Sequence, residues 1–392
     1  MFRRLLRSSS ANDVPKQANG LRRPFAFAKL TLAWSLVHKI PPVALAAMIL
    51  NSYALLLGFV AVLRLGLGLL LFVLAGFSRA ARQTATPEER TARENRGYLL
   101  FLLALLLVGL NVASWPLLYL LLESYVSEWP GVMCIYGVTQ IGKGSLGPSH
   151  FLPGLLHFLQ WAKPALVFLS GAWGILYLLN RSTATGPLYK RLFLLLVPLG
   201  AFAVADACAE LAYLAIPKKE VFPSAGCCVG IALEDESSRF LPPILLTPSA
   251  RGWLWLAYYG GSLGMMGLLS THLRRSKQTP NALGMLLLLF ADGAVLIVSV
   301  LFLIEVAAPM LLGLPDHHCA YDLIPRVPEA VVAAVLFLGG SFFVGWAGVA
   351  RGLGRCRETD ASRPRIERGC LRLALWGYAL SLGMFTMELL LA

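Results

Sequence analysis

The stretch Asp316-His317-His318-Cys319-Ala320-Tyr321-Asp322 packs two imidazoles, a thiol and two carboxylates into one short segment. Thiolates and imidazoles are the ligands that copper(I) and zinc prefer. An imidazolium beside a thiol also lowers its pKa and raises its reactive thiolate fraction. Three more cysteines accompany this segment in two other polar connections. Met133-Cys134-Ile135-Tyr136-Gly137 lies in the stretch 125–161, and Gly226-Cys227-Cys228-Val229-Gly230 lies in 217–251.

Three chemistries fit the set Cys134, Cys227, Cys228, His317, His318 and Cys319. Cysteines in an oxidising compartment pair as disulfides, and four allow three connectivities. Such bonds would staple the connections together. The vicinal Cys227-Cys228 pair and the His-flanked Cys319 also suit thiol redox chemistry, although no Cys-x-x-Cys pair is present. The third possibility is a soft-metal site for copper or zinc. Its ligands must come from different connections, because no close zinc-finger spacing occurs. His150 and His157 have weaker claims, since His157 sits on the apolar stretch 155–161.

A second group of candidates lies inside apolar runs. Asp206 and Glu210 are four residues apart and share a helix face, with Cys208 between them. Asp292, Glu305 and Glu388 occupy other runs, and Arg64 and Arg372 are candidate counter-charges. Ionisable groups in a membrane are costly and mark either ion or proton paths or paired helix contacts. The sequence leaves both uses open: a path past Asp206, Glu210 and Asp292, a polar floor of Glu210, Glu305 and Glu388, or paired carboxyls between helices.

The elements that position these residues follow from composition. Of 392 residues, 57% are hydrophobic and only 14% charged, and mean hydropathy is +0.68. Soluble domains carry about 25% charged residues, so the apolar surface belongs in a bilayer. The runs predict an all-α, polytopic integral membrane helix bundle with about eight transmembrane helices. Spans are expected at about 43–77, 98–124, 162–180, 192–216, 252–272, 283–309, 329–350 and 369–391. Residues 1–42 form a basic N-terminal arm of disordered composition, and 43–392 form the transmembrane domain. The first run is long for one crossing and contains Arg64, so it is one long helix or a hairpin near Gly66-Leu67-Gly68; the lack of other turn residues favours one helix. Gly260 and Gly264, and Gly339, Gly340, Gly345 and Gly348, are expected at helix contacts.

Charge sets the orientation. Connections 78–97, 181–191, 273–282 and 351–368 hold seventeen Lys and Arg residues. The alternating connections hold seven: Lys143, Lys163, Lys218, Lys219, Arg239, Arg251 and Arg326. The positive-inside rule places the first set in the cytoplasm and the Cys-bearing connections on the outer face of the cell membrane. A single first span leaves the basic arm outside, against that rule.

The net charge of +13 is explained by these clusters. No basic patch interleaved with aromatics points to nucleic acid, and the lipid bilayer is the expected partner. No phosphate-binding loop, Ser-hydrolase elbow, His-Glu-x-x-His motif or dinucleotide fingerprint occurs. The balance of features is against an enzyme. Three functions remain: an outer-face Cys/His cluster for thiol or soft-metal handling, a transporter or permease using the intramembrane carboxylates with disulfide-stapled loops, or a structural or assembly protein.

Overall fold

A computed structural model describes residues 51–80, 87–128, 132, 134–142, 147–183, 186–218, 248–275, 282–314 and 319–392. The basic arm, the Cys227-Cys228 pair and His317-His318 lie outside the described residues. Helices α1 (Ser52–Ala80), α2 (Pro87–Val126), the short α3 (Ile135–Gln140), α4 (Leu152–Arg181) and α5 (Tyr189–Ala215) come first. Helices α6 (Pro248–Arg275) and α7 (Ala282–Phe302) follow. A π turn, Leu303–Ala307, continues α7 into α8 (Ala308–Leu311). The chain ends with α9 (Leu323–Arg326), α10 (Pro328–Gly352) and α11 (Arg363–Leu391). No strand occurs among the described residues.

Seven of these helical stretches are long and apolar enough to cross a membrane. Helix α6 is as long as the others, but Gly252, Gly260, Gly261, Gly264 and Gly267 dilute its hydropathy. Large apolar side chains such as Leu55, Phe59, Leu286 and Phe290 point away from the protein, as they must where lipid is the solvent. The chain is an all-α polytopic membrane bundle. Helix α1 runs through Gly66 and Gly68 without a turn, so the stretch from Ser52 is one helix rather than a hairpin.

A seven-residue stripe explains how the first helices pack. The buried positions of α1 include Ala54, Leu57, Ala61, Arg64, Gly68, Leu71 and Ala75. Helix α2 buries Leu100, Ala104, Leu107, Asn111, Ser114, Leu118, Leu121 and Tyr125 at the same spacing. Helix α4 repeats it with Leu152, Leu156, Leu159, Lys163, Leu166, Ser170 and Trp173, and α5 with Leu192, Leu196, Leu199, Ala203, Asp206, Glu210 and Tyr213. Alternating three- and four-residue steps keep one seam facing inward along an antiparallel four-helix bundle.

The contacts form two closed rings. In the first, α1 packs on α2, α2 on α4, α4 on α5 and α5 back on α1. In the second, α6 packs on α7, α7 on α10, α10 on α11 and α11 on α6. The bundle therefore comprises two four-helix rings. Small residues make the closest approaches within each ring. Gly200 lies against the Gly68 backbone, and Gly377 against Gly340. Gly260 and Gly264, expected at contacts, have no neighbour where a Cβ would stand.

Helices α4 and α10 join the rings. The seam is a reciprocal exchange of aromatics and glycines: Trp346 covers Gly171, and Phe168 covers Gly345. Trp346 Nε1 donates to the Phe168 carbonyl at 2.9 Å, so the indole leaves no orphan donor in the apolar contact. At one end of the seam, Ser182 and Ser362 hydroxyls meet at 2.9 Å, and Arg191 donates to the Arg355 carbonyl at 2.9 Å.

Gly171→Ala forces a Cβ into the Trp346 ring, whereas a Cβ at Gly174 meets open space. Thermal unfolding of the detergent-solubilised protein is expected to show a loss of about 1–3 kcal/mol for the first change and little for Gly174→Ala. Equal melting of the two variants would mean that the seam does not carry this contact.

Candidate functional site

Two polar centres stand out, one in the bundle and one at its end. The first is a quartet of charges. Arg64 from α1 donates to Glu210 at 2.8 Å and also pairs with Asp206. Lys163 from α4 donates to the same Asp206 oxygen at 2.7 Å and also pairs with Glu210. Arg64 Nε reaches Asn111 of α2 at 2.9 Å, and Lys163 reaches Ser114 of α2 at 3.1 Å. All four charged side chains are completely or almost completely buried.

Each of these residues occupies a seam position of its heptad stripe, so the charges meet because the helices pack. Two cations face two carboxylates, and no net charge remains. Oxygens of both carboxylates already hold a resident cation, which argues against an open cation-binding site here. Asp206 Oδ1 is buried with no hydrogen-bond partner. Ion pairs in a low-dielectric interior lose much of their attraction to desolvation, but removing one partner leaves an uncompensated charge. The arrangement locks α1, α2, α4 and α5 in one register.

Lys163 was expected in a connection and is instead inside α4. The helix begins at Leu152 rather than near residue 162, because the 3-10 turn Pro148–Phe151 leads straight into it and Pro164 is accommodated within it. Arg64 serves as a counter-charge, as its position suggested. Arg372 does not; it is exposed on α11.

The second centre joins the rings. Cys134 and Cys319, 185 residues apart, bring their Sγ atoms to 3.7 Å. Asp322 completes a group whose ligand atoms all lie within 4.8 Å of one another. All three residues are buried, at 5%, 7% and 6% exposure. Cys134 has an extended backbone and stands immediately before α3. Cys319 stands immediately before the 3-10 turn Ala320–Asp322, whose Asp322 N–H donates to the Cys319 carbonyl at 3.3 Å. Positions three apart eclipse in a 3-10 turn, which sets the Asp322 carboxylate beside the Cys319 thiol.

The two cysteines hold corresponding places. Each lies in the connection between the second and third long helices of its ring, and each opens a Cys-x-Tyr triplet, Cys134-Ile135-Tyr136 and Cys319-Ala320-Tyr321. Both tyrosines pack against the thiols. Helix α3 is anchored on the first ring by Ile135, Val138 and Ile141, and Tyr321 and Ile324 of the second ring lean on that same apolar cluster. Gln160 of α4 donates to the Tyr321 hydroxyl at 2.7 Å. Burial raises the pKa of Tyr321 well above the usual phenol range, and Tyr119 beside it adds to the shift, so this ring stays neutral.

The remaining expected residues are placed elsewhere. Among the described residues no cysteine pair lies at disulfide distance. The expected staple is thus absent there, because Cys134 and Cys319 touch at van der Waals separation rather than bonding distance. Cys208 is exposed on α5. His150 and His157 are exposed and edge onto Phe151 and Trp161. Asp292 accepts a hydrogen bond from Tyr378, whose hydroxyl also meets Ser341 at 2.8 Å. That network belongs to the second ring, whereas Asp206 and Glu210 pair within the first. Glu305 is buried in the π turn after α7, and Glu388 is partly exposed near the end of α11. They belong to the second ring, while Glu210 belongs to the quartet of the first.

The quartet makes a sharp mutational prediction. Arg64→Leu strands carboxylate charge in the bundle and is expected to cost about 3–5 kcal/mol in thermal or denaturant unfolding. Combining it with Glu210→Leu restores a one-to-one balance of Lys163 and Asp206 and is expected to recover much of the loss. A double variant less stable than Arg64→Leu alone would contradict the charge-balance account.

Comparison of the chain with profiles of known protein families, with curated proteins and with solved structures finds no match.

Proposed function

We propose that this polytopic membrane protein handles a thiophilic metal ion at Cys134, Cys319 and Asp322. The observation that carries the reading is the 3.7 Å approach of two thiols from different four-helix rings, with a carboxylate alongside. Binding one ion replaces both thiol protons, which leave to water, and couples occupancy to pH. The site sits on the extracytoplasmic face. What supports this orientation is the density of Arg and Lys in the connections at the other end, and moving Lys163 from a connection into α4 widens the asymmetry.

The contact between the thiols also favours a second reading, reversible formation of a Cys134–Cys319 disulfide. That step removes two electrons and two protons from the pair, so it requires a two-electron acceptor such as a membrane quinone or a partner disulfide. A transport path through Asp206 and Glu210 has less support, because Arg64 and Lys163 already occupy both carboxylates.

Metal content and thiol state of the purified full-length protein separate these readings. The wild-type protein is expected to retain roughly one ion per chain, and Cys134→Ser and Cys319→Ser each to lose it, with thiol-dependent metal binding releasing protons. Cys208→Ser, exposed on α5, is the control. Denaturation and alkylation without reductant should then modify both Cys134 and Cys319. Resistance to alkylation until a reductant is added, with no metal bound, would establish the disulfide reading instead.

A further inference from the structure

We infer that the ion is a tetrahedral dication of the zinc class rather than cuprous copper, an inference that rests on the metal-handling reading. The first argument is the separation of the sulfurs. Two thiolates at about 2.3 Å from a tetrahedral ion stand about 3.8 Å apart. A linear two-thiolate ion with bonds of similar length separates them by about 4.6 Å. The Cys134–Cys319 contact distance of 3.7 Å is already that of the tetrahedral edge, so a tetrahedral ion needs little movement of the sulfurs and a linear one must spread them.

The second argument is the third ligand. Asp322 offers a hard oxygen within the same small cluster. Carboxylate oxygen is a normal zinc ligand, whereas cuprous copper selects thiolate and thioether. One thiol comes from each Cys-x-Tyr triplet, so the ion bridges corresponding connections of the two four-helix rings.

Cobalt(II) is the probe, titrated into the reduced, metal-free full-length protein in detergent. The expected result is the intense visible absorption of tetrahedral cobalt with a thiolate-to-metal charge-transfer band, both abolished by stoichiometric zinc. Asp322→Asn is expected to weaken zinc by more than the about 10–100-fold that follows loss of a group merely supporting a ligand, while leaving cuprous binding nearly unchanged. Preferential cuprous binding, with weak octahedral-type cobalt spectra and no effect of Asp322→Asn, would overturn the zinc-class assignment and leave the metal-handling reading standing. Failure of both ions to bind the reduced wild-type protein would overturn the metal-handling reading itself. The cobalt spectrum of the wild-type chain decides the coordination geometry even if the Asp322→Asn protein does not accumulate.

Discussion

Arg64, Lys163, Asp206 and Glu210 sit at the same level of four interlocking apolar stripes, and the first ring of helices depends on their mutual neutralisation. None of these charges is tolerable alone in that interior. Together they require three helices to meet in one register and draw in the fourth through Asn111 and Ser114. Apolar packing in a bilayer is weakly specific, because lipid tails are as apolar as leucine. A polar layer supplies what leucine cannot, a single arrangement in which every charge has its partner.

That fixed ring is the platform for the thiol centre. Helix α4 carries Lys163 in the quartet, Gln160 on the Tyr321 hydroxyl about one turn away, and the Phe168–Gly171 surface that receives Trp346. One helix thus links charge layer, inter-ring seam and the segment bearing Cys319 and Asp322. Cys134 reaches the same point on α3, which rests on the apolar cluster of the first ring. The thiols meet because both rings are oriented by α4, and a shift of the seam would separate them.

Much of this was legible in the sequence. Hydropathy and length identify the long helices, and the Cys-bearing connections could be grouped on one side from the Arg distribution. Asp206 and Glu210 were recognisable as a pair that needs an explanation. Lys163 was not, because Lys163-Pro164 reads as the end of a polar connection when hydropathy alone is followed. The better signal was periodicity: Leu152, Leu156, Leu159, Lys163, Leu166 and Ser170 keep the stripe unbroken, so the lysine must point inward. The same reading applied to α1 places Arg64 inward and yields the two-to-two balance. The meeting of Cys134 with Cys319 was expected from their places in connections on the same side, whereas Asp322 as the companion of the two thiols was not foreseen. The disulfide expectation came from compartment and cysteine number, neither of which specifies distance.

X-ray absorption at the metal edge of the purified, fully reduced full-length protein tests the central claim most directly. A thiophilic ion shared between the rings predicts a shell of two sulfurs at about 2.3 Å with lighter scatterers at about 2.0–2.2 Å. Loss of one sulfur is the predicted change in Cys134→Ser. A bound metal with no sulfur shell, or a reduced protein that retains no metal, would contradict it.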